Sequence, residues 1–81
     1  MLEDILDEVM GEVMEATDYN PPFHSSHEGF AVLLEELEEL KAEVFKKRGE
    51  RSHANMRHEA IQVAAMAVRF VHDICEAEVS V

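Results

Sequence analysis

The chain has 81 residues, and its 18 acidic side chains outnumber its seven lysines and arginines, for a formal net charge of −11. A chain of this length forms one domain, residues 1–81, and its acidic surface argues against direct binding of nucleic acids or anionic membranes. No apolar run reaches the roughly 20 residues of a membrane span.

Small size and cysteine content lead to two further expectations. A domain this short buries only about 60% of its unfolded surface, so its own core is marginal. Cys75 is the only cysteine, which excludes an internal disulfide and leaves self-association, as a dimer or a tetramer, to add buried surface. A single thiol without an export signal predicts a cytoplasmic location.

The first two helices are predicted from apolar residues at three-four spacing. Helix one covers roughly 2–17 and ends before the Pro21–Pro22 pair, because prolines cannot continue a helix. Helix two begins at Ser25–Ser26, where Ser25 and Glu28 have the spacing of a capping box. It is expected to run to about Arg48.

The end of helix two and the start of helix three are predicted from their capping residues. Gly49 is a natural C-terminal stop, and Ser52 can cap a third helix from about His53 to Ala77. The tail 78–81 is expected to fray. Strand-like alternation is missing, so the sequence predicts an all-α fold: an antiparallel three-helix chain that forms a four-helix-bundle-like oligomer.

A stripe of five glutamates lies on helix two within an arc of about 100°. Like charges at i,i+4 destabilise a helix, and Lys41 is the only base between the first and last of them. Two interpretations stay open, a solvated acidic face or a site that needs an external cation. The five residues are Glu28, Glu35, Glu36, Glu39 and Glu43.

Helix three carries a narrow polar line on an otherwise apolar surface. The wide apolar face predicts burial on most sides, and burying an unpaired carboxylate is costly. The line therefore needs partners, either the glutamates of helix two with a metal between them or a salt bridge from Glu59 to Arg57, Arg69 or Lys41. The line consists of Glu59, Gln62, Arg69 and Asp73.

These residues resemble the motifs of a known family. The segment 35–39, Glu-Glu-Leu-Glu-Glu, matches the E-E-x-x-E motif of the MazG-like, all-α nucleoside triphosphate pyrophosphohydrolases. Their second motif, E-x-x-D on the next helix, corresponds to Glu59-Ala60-Ile61-Gln62. The flanking segments 27–34 and 62–67 also look like the small phage and bacterial members, so the resemblance covers about residues 20–75.

The resemblance implies magnesium-dependent hydrolysis of a nucleoside triphosphate, often a deoxynucleotide, to the monophosphate and pyrophosphate, with manganese as a substitute. Glu36, Glu39, Glu59 and Gln62 would be metal ligands, and Glu35 would be a further ligand or would orient the attacking water. Arg69 and Asp73 share the polar line with Glu59 and are candidates for substrate binding. These seven residues are the predicted site.

Gln62 departs from the family pattern, which has aspartate there. An amide oxygen can coordinate a metal but brings no charge, so a weakened family member is one alternative. Another is a non-catalytic acidic helical module for oligomerisation or regulation.

Three smaller features have alternatives of their own. His24 and His27 could bind zinc, although further ligands are not evident. Tyr19 and Phe23 could stack on a base or pack in the core. The basic segment 46–51 could bind a triphosphate, or could complement the negative end of the helix-two dipole.

Overall fold

A computed structural model describes residues 1–76, which form three helices joined by two short loops. This part of the chain contains no strand, so the all-α prediction is confirmed. Over the same residues, no helix is both long and apolar enough to cross a membrane. The helices are α1 (Leu2–Tyr19), α2 (Ser26–Val44) and α3 (His53–Phe70); α3 continues into a π-helical turn (Val71–Cys75), and a 3₁₀ turn (Arg48–Glu50) precedes it.

The first helix ends close to its predicted position. Asn20, the residue after α1, adopts an extended conformation with φ −131° and ψ 143°. A residue that precedes proline is driven out of the helical region by steric clash, and Pro21 follows directly. The chain therefore leaves the helix at Asn20 and turns toward α2.

The predicted start of the second helix is confirmed by its cap. The Ser25 hydroxyl accepts a hydrogen bond from the Glu28 backbone N–H at 3.0 Å. The Glu28 carboxylate reaches back to the backbone N–H of His24, at 2.9 Å, rather than to that of Ser25. The reciprocal half of the capping box is therefore displaced by one residue, which satisfies one more donor at the helix start.

The predicted end of the second helix is wrong, because α2 ends at Val44 and not at Arg48. Phe45 is exposed, so no apolar side chain directly beyond Val44 packs against α3. Helices in proteins are held mainly by tertiary packing, and this one ends where the packing ends. Arg51 Nε then donates to the Lys46 carbonyl at 3.1 Å, and Gly49 lies in the 3₁₀ turn instead of acting as a helix stop.

The third helix begins as predicted at His53. Ser52 caps it by accepting a hydrogen bond from the Asn55 backbone N–H at 3.1 Å. Helical structure continues to Cys75, although its last five residues form the π-helical turn. The predicted end at Ala77 and the predicted fraying tail lie outside the described residues.

Helix α3 is the central element, and α1 and α2 both pack on it. Gly29, near the start of α2, lies against Phe70 at the end of α3, and Val44 borders the same cavity as Met56. The two helices are therefore antiparallel, as predicted. Helix α1 runs in the same direction as α3, since Glu8 binds Arg57 and Ala16, later in α1, borders the same cavity as Met66, later in α3.

The core is small and centres on α3. Burial of α3 on most sides is only partly confirmed, because Val68 and Val71 are exposed. The buried side of α2 passes through Glu36 and Glu43 as well as through apolar residues, so part of the predicted acidic stripe faces the protein. The buried apolar residues are Val9, Phe23, Ile61, Ala65, Met66 and Ile74.

Candidate metal centre

Three carboxylates converge between α2 and α3. Glu36 and Glu39 are three residues apart, so they project from neighbouring positions on one side of α2. The antiparallel packing brings Glu59 of α3 opposite them, and one oxygen from each of the three lies within 4.8 Å of the others. We call this group the glutamate triad. It contains three of the four residues predicted to bind metal.

Two oxygens of the triad have no hydrogen-bond donor. Glu36 Oε2 and Glu59 Oε2 are buried, and no described residue donates to either. Burying an unsatisfied polar oxygen is costly, and the cost is larger for a charged group. A cation bound among the three carboxylates would satisfy both atoms, so the donor set fits an oxygen-preferring divalent metal.

The alternative partners of Glu59 are engaged elsewhere. Arg57 forms two hydrogen bonds, of 2.6 and 2.7 Å, with the Glu8 carboxylate. The guanidinium of Arg69 lies 3.5 Å from Asp73, and Lys41 Nζ lies over the Phe45 ring. Within residues 1–76, Glu59 therefore forms none of the three salt bridges that the sequence left open.

The glutamates at the two ends of the stripe differ from those in its middle. Glu28 accepts hydrogen bonds from His24, and Glu43 binds Lys46 Nζ at 2.8 Å; these contacts lower the pKa of each carboxyl. Both ends of the stripe thus have hydrogen-bond donors from the protein. Glu36 and Glu39, in its middle, are the members that face Glu59.

The electrostatics of Glu36 reflect this crowding. Its pKa is raised above 4.5, first by burial and then by the nearby negative charges of Glu39, Glu59 and Glu35. Both causes act by disfavouring the ionised carboxylate, and a bound divalent cation would reverse them. The site therefore holds negative charge that the protein itself does not compensate.

The other predicted members take different positions. Glu35 is exposed and lies outside the triad, but its charge contributes to the raised pKa of Glu36. Gln62 is half-buried, lies one turn after Glu59, and borders a cleft together with Glu36. The structure thus places Gln62 in the lining of the cleft with Glu36 and leaves Glu35 exposed outside the triad.

A cleft of about 410 Å³ adjoins the triad and is open to solvent. It is bordered by α1, α2, α3 and the loop between α1 and α2. Its walls are mixed, with carboxylate, amide and guanidinium groups beside apolar side chains, as is usual for small-molecule sites. The lining residues are Ala16, Asn20, Pro21, Phe23, Glu28, Val32, Glu36, Gln62, Met66 and Arg69.

Arg69 and Asp73 are mainly engaged with the loop between α1 and α2. Arg69 is buried, donates to the Pro21 carbonyl at 3.0 Å, and places its guanidinium 4.5 Å from the centre of the Phe23 ring. Asp73 accepts a hydrogen bond from the Phe23 backbone N–H at 3.1 Å. Arg69 also lines the cleft, whereas Asp73 does not.

The charge state of Asp73 depends on opposing effects. Burial by itself would raise its pKa, but hydrogen bonds from the His72 ring and the Phe23 N–H, with the charge of Arg69, lower the pKa below 3.8. Asp73 is therefore an ionised, satisfied carboxylate. Its contacts hold the loop that forms one wall of the cleft.

Several cleft residues were not predicted from the sequence. Asn20 and Pro21 border the cleft, and only the double proline signalled an ordered turn there. Phe23 is buried against Arg69, while Tyr19 is exposed and does not line the cleft. His24 contacts Glu28 at 3.3 Å, and neither His24 nor His27 belongs to a three-ligand group among the described residues.

Comparisons with known proteins do not identify a family. A scan against protein-family models and searches of curated proteins and solved structures find no match to this chain. A functional assignment therefore depends on the geometry of the carboxylates and the spacing of the motifs.

Proposed function

We propose that the chain is a magnesium-dependent nucleoside triphosphate pyrophosphohydrolase that releases pyrophosphate from a nucleotide, in particular a deoxynucleotide. The observation that carries the proposal is the glutamate triad, with two buried oxygens that no described protein group satisfies. The likeness of segment 35–39 and of Glu59 to the paired motifs of MazG-like enzymes supports the same activity.

Each residue of the site has a role in this proposal. Glu36, Glu39 and Glu59 would hold Mg²⁺, or Mn²⁺ in its place, and Gln62 would add a neutral oxygen. When bound, the metal supplies positive charge that offsets the charge of the phosphates and activates water. Glu35 would accept a proton from the attacking water, since its side chain is exposed and is near enough to Glu36 for its charge to raise the pKa of that carboxyl.

The cleft is the proposed place for the nucleoside. It shares Glu36 with the triad, so a nucleoside there would have its phosphates close to the metal ligands. The Arg69 guanidinium lines the same cleft and would face the ligand while it holds Pro21. Asp73 would act on substrate binding only through Arg69 and the loop.

The decisive experiment compares pyrophosphate release by the natural chain and by matched variants. A panel of NTPs and dNTPs with Mg²⁺ is expected to include at least one substrate. Glu39→Gln removes a ligand charge and should lower the rate by about 100-fold or more, since even outer-sphere changes at metal sites cost about 10- to 100-fold. Glu38→Gln, a neighbouring exposed glutamate outside the triad, should keep most of the activity.

Two outcomes would reject the enzyme proposal. One is the absence of pyrophosphate release from every nucleotide tested, and the other is equal release by Glu39→Gln and the natural chain. Gln62→Asp, which restores the family motif, would separate a weak enzyme from an inactive one. A large gain in rate would identify the natural chain as a weakened member.

The second candidate is a non-catalytic helical module that works by self-association. It is favoured by exposed apolar side chains, which include Leu2, Leu6, Met10 and Met14 of α1 and Phe30 and Leu37 of α2. Self-association as a dimer or tetramer belongs to both candidates, so the oligomeric state does not separate them, whereas the nucleotide assay does. For either candidate we propose a cytoplasmic location, where the single thiol of Cys75 would stay reduced.

A further inference from the structure

A second cavity lies at the opposite end of α2 from its capped start. It has a volume of about 400 Å³ and is formed where the chain passes from α2 into α3. Two arginines and a histidine line it beside two apolar side chains. The lining residues are Val44, Arg48, Arg51, His53 and Met56, and we call the site the basic cavity.

The charge of the basic cavity is unusual for this chain. Four of the seven lysines and arginines lie between positions 46 and 51, although acidic residues dominate the sequence as a whole. Arg57, Arg69 and Lys46 each bind a carboxylate. Among residues 1–76, Arg48 and Arg51 form no such pair, even though carboxylates are abundant.

The sequence offered a simpler role for these bases, which the structure does not support. Bases near the end of a helix can complement the helix dipole, and the effect falls off within the last turn. Helix α2 ends at Val44, so Arg48 and Arg51 follow its last residue by four and seven positions. Instead they border the entrance to α3, whose N-terminal end carries the positive part of its dipole.

The local geometry holds one of the two guanidinium groups in place. Arg51 Nε donates to the Lys46 carbonyl at 3.1 Å, which anchors the group while leaving its two terminal nitrogens for other acceptors. Arginine presents its donors in a planar fork that matches phosphate oxygens. Val44 and Met56 add an apolar wall beside this fork.

The basic cavity is separate from the metal centre and its cleft. No residue lines both cavities. On α3, His53 and Gln62 are nine residues apart, which at roughly 100° per residue puts them on opposite sides of the helix. A ligand in the basic cavity would therefore approach a different face of α3 from a ligand in the cleft.

We infer that the basic cavity binds a phosphate-bearing anion directly, without a divalent metal. Arg48 and Arg51 supply the positive charge that a metal supplies at the glutamate triad, and His53 adds a ring nitrogen. The inference goes beyond the proposed hydrolysis and does not depend on it. Free phosphates and nucleotides share this chemistry, and the test below distinguishes them.

The test is a titration followed by NMR of the full chain in metal-free buffer, with chloride holding the ionic strength constant. The probes are inorganic phosphate, inorganic pyrophosphate and a nucleoside monophosphate. We expect saturable shifts of the Arg48, Arg51 and His53 signals with at least one probe. Tightest binding of the monophosphate would show that the apolar wall contacts a nucleoside, and tightest binding of pyrophosphate would identify a free phosphate ligand.

Matched variants distinguish a built site from general attraction. Arg48→Gln should weaken binding by about tenfold or more, as loss of one charge-assisted pair does, whereas Lys47→Gln removes the same charge from outside the cavity and should change the affinity by less than about twofold. Arg48 makes no hydrogen bond among the described side chains, so this variant is expected to fold. A thermal melt of each variant checks that.

Three results would overturn the inference: no saturable shift with any probe, equal weakening by the two variants, or shifts confined to the cleft. None of them contradicts the proposed hydrolysis, because the titration uses neither metal nor turnover. Conversely, the chain could release no pyrophosphate from any nucleotide and still bind pyrophosphate through Arg48. That result would reject the enzyme proposal and support the basic cavity.

Discussion

The carboxylate of Glu36 is in an unfavourable position unless a cation is bound. Its pKa is raised, so at intermediate pH the folded metal-free chain holds more protons at Glu36 than the unfolded chain does. The free energy of unfolding therefore falls as pH rises from about 4.5 through the folded-state pKa, and the loss persists at higher pH. A bound divalent metal would remove the penalty.

Glu36→Gln should consequently have effects of opposite sign with and without magnesium. Near pH 7 in metal-free buffer we expect a melting temperature about 2–4 °C above that of the natural chain, which corresponds to about 0.5 kcal/mol for a domain of this size. Free Mg²⁺ at ten times its Kd should stabilise the natural chain by about 1.4 kcal/mol and the variant much less. Thermal melts check both, and equal stabilisation of the two proteins would contradict a site at the triad.

The pH dependence of the same pair gives a control. Below about pH 4.5, Glu36 is protonated in both folded and unfolded chains, so the metal-free advantage of Glu36→Gln should disappear. Glu38→Gln changes an exposed position outside the triad, so its metal-free melting temperature should match that of the natural chain both near pH 7 and below pH 4.5. A constant difference at all pH values would point to packing rather than charge as its cause.

The buried pair of Arg69 and Asp73 leads to a prediction about stability. Both side chains are 6% exposed, and removing one partner of a buried ion pair costs about 3–5 kcal/mol. An asparagine at position 73 can still accept the Phe23 N–H, so we expect Asp73→Asn to lose about 2–3 kcal/mol in urea unfolding. Asp18→Asn, an exposed aspartate, serves as the control and should change little.

This prediction also has a defined pH dependence. The pKa of Asp73 is lowered in the folded chain, so its stabilisation is present above 3.8 and is lost as pH falls through the folded-state pKa. The difference between the natural chain and Asp73→Asn should therefore shrink in strong acid. If Asp73 instead touched substrate alone, the variant would raise KM and leave the unfolding curve unchanged.

At the scale of elements, the approach of α2 to α3 depends on Gly29. A Cβ built there would lie 2.7 Å from Phe70 Cδ2, closer than real Cβ contacts, and 3.1 Å from Phe23 Cδ2, which is tighter than most real contacts. Gly11 of α1, in contrast, has nothing within 4 Å of its corresponding Cβ position. The two glycines thus form a natural pair for a comparison inside the chain.

The same substitution should have opposite effects at these two positions. Gly11→Ala should stabilise the chain by up to about 1 kcal/mol, since alanine is the better helix former. At Gly29 the same gain is opposed by overpacking, which typically costs about 1–3 kcal/mol, so Gly29→Ala should destabilise by about 1 kcal/mol. Chemical unfolding measures both, and stabilisation by Gly29→Ala would show that α2 does not approach α3 so closely.

For the whole molecule, the exposed surface is larger than the average for a monomer of its mass. The folded chain exposes 6151 Å², whereas the usual scaling for a monomer of 9.2 kDa gives about 4,900 Å². Large apolar side chains on α1 and α2 are among the exposed residues, and exposed apolar patches often mark contacts between proteins. A second copy of the chain is the partner that both functional candidates share.

Sedimentation equilibrium should therefore give a mass of at least twice 9.2 kDa. Phe30→Ser, which removes an exposed apolar side chain beside Leu34 and Leu37 on α2, should shift the equilibrium toward the monomer by about tenfold or more, since burying a phenylalanine contributes about 1.5–3 kcal/mol. Tyr19→Ser removes an exposed aromatic at the end of α1 and is the control. A monomer at millimolar concentration would contradict self-association.

Much of the fold follows from local chemistry that the sequence carries. The prolines end α1, the hydroxyls of Ser25 and Ser52 cap α2 and α3, and apolar spacing marks all three helices. The end of α2 was misplaced by four residues because the bases and Gly49 after it look like a helix end. Packing against α3 stops at Val44, and sequence signals do not show where packing stops.

The sequence by itself determined that this chain is helical and acidic, and it left a metal and a salt bridge as the alternative partners of Glu59. Among the described residues, the tertiary structure excluded salt bridges from Glu59 to Arg57 and Arg69, which bind other carboxylates, and it brought Glu59 to Glu36 and Glu39. It also brought Arg48, Arg51 and His53 to one cavity. The reason is that helix periodicity places a side chain on a face, while only the packing of helices determines which charges meet across it.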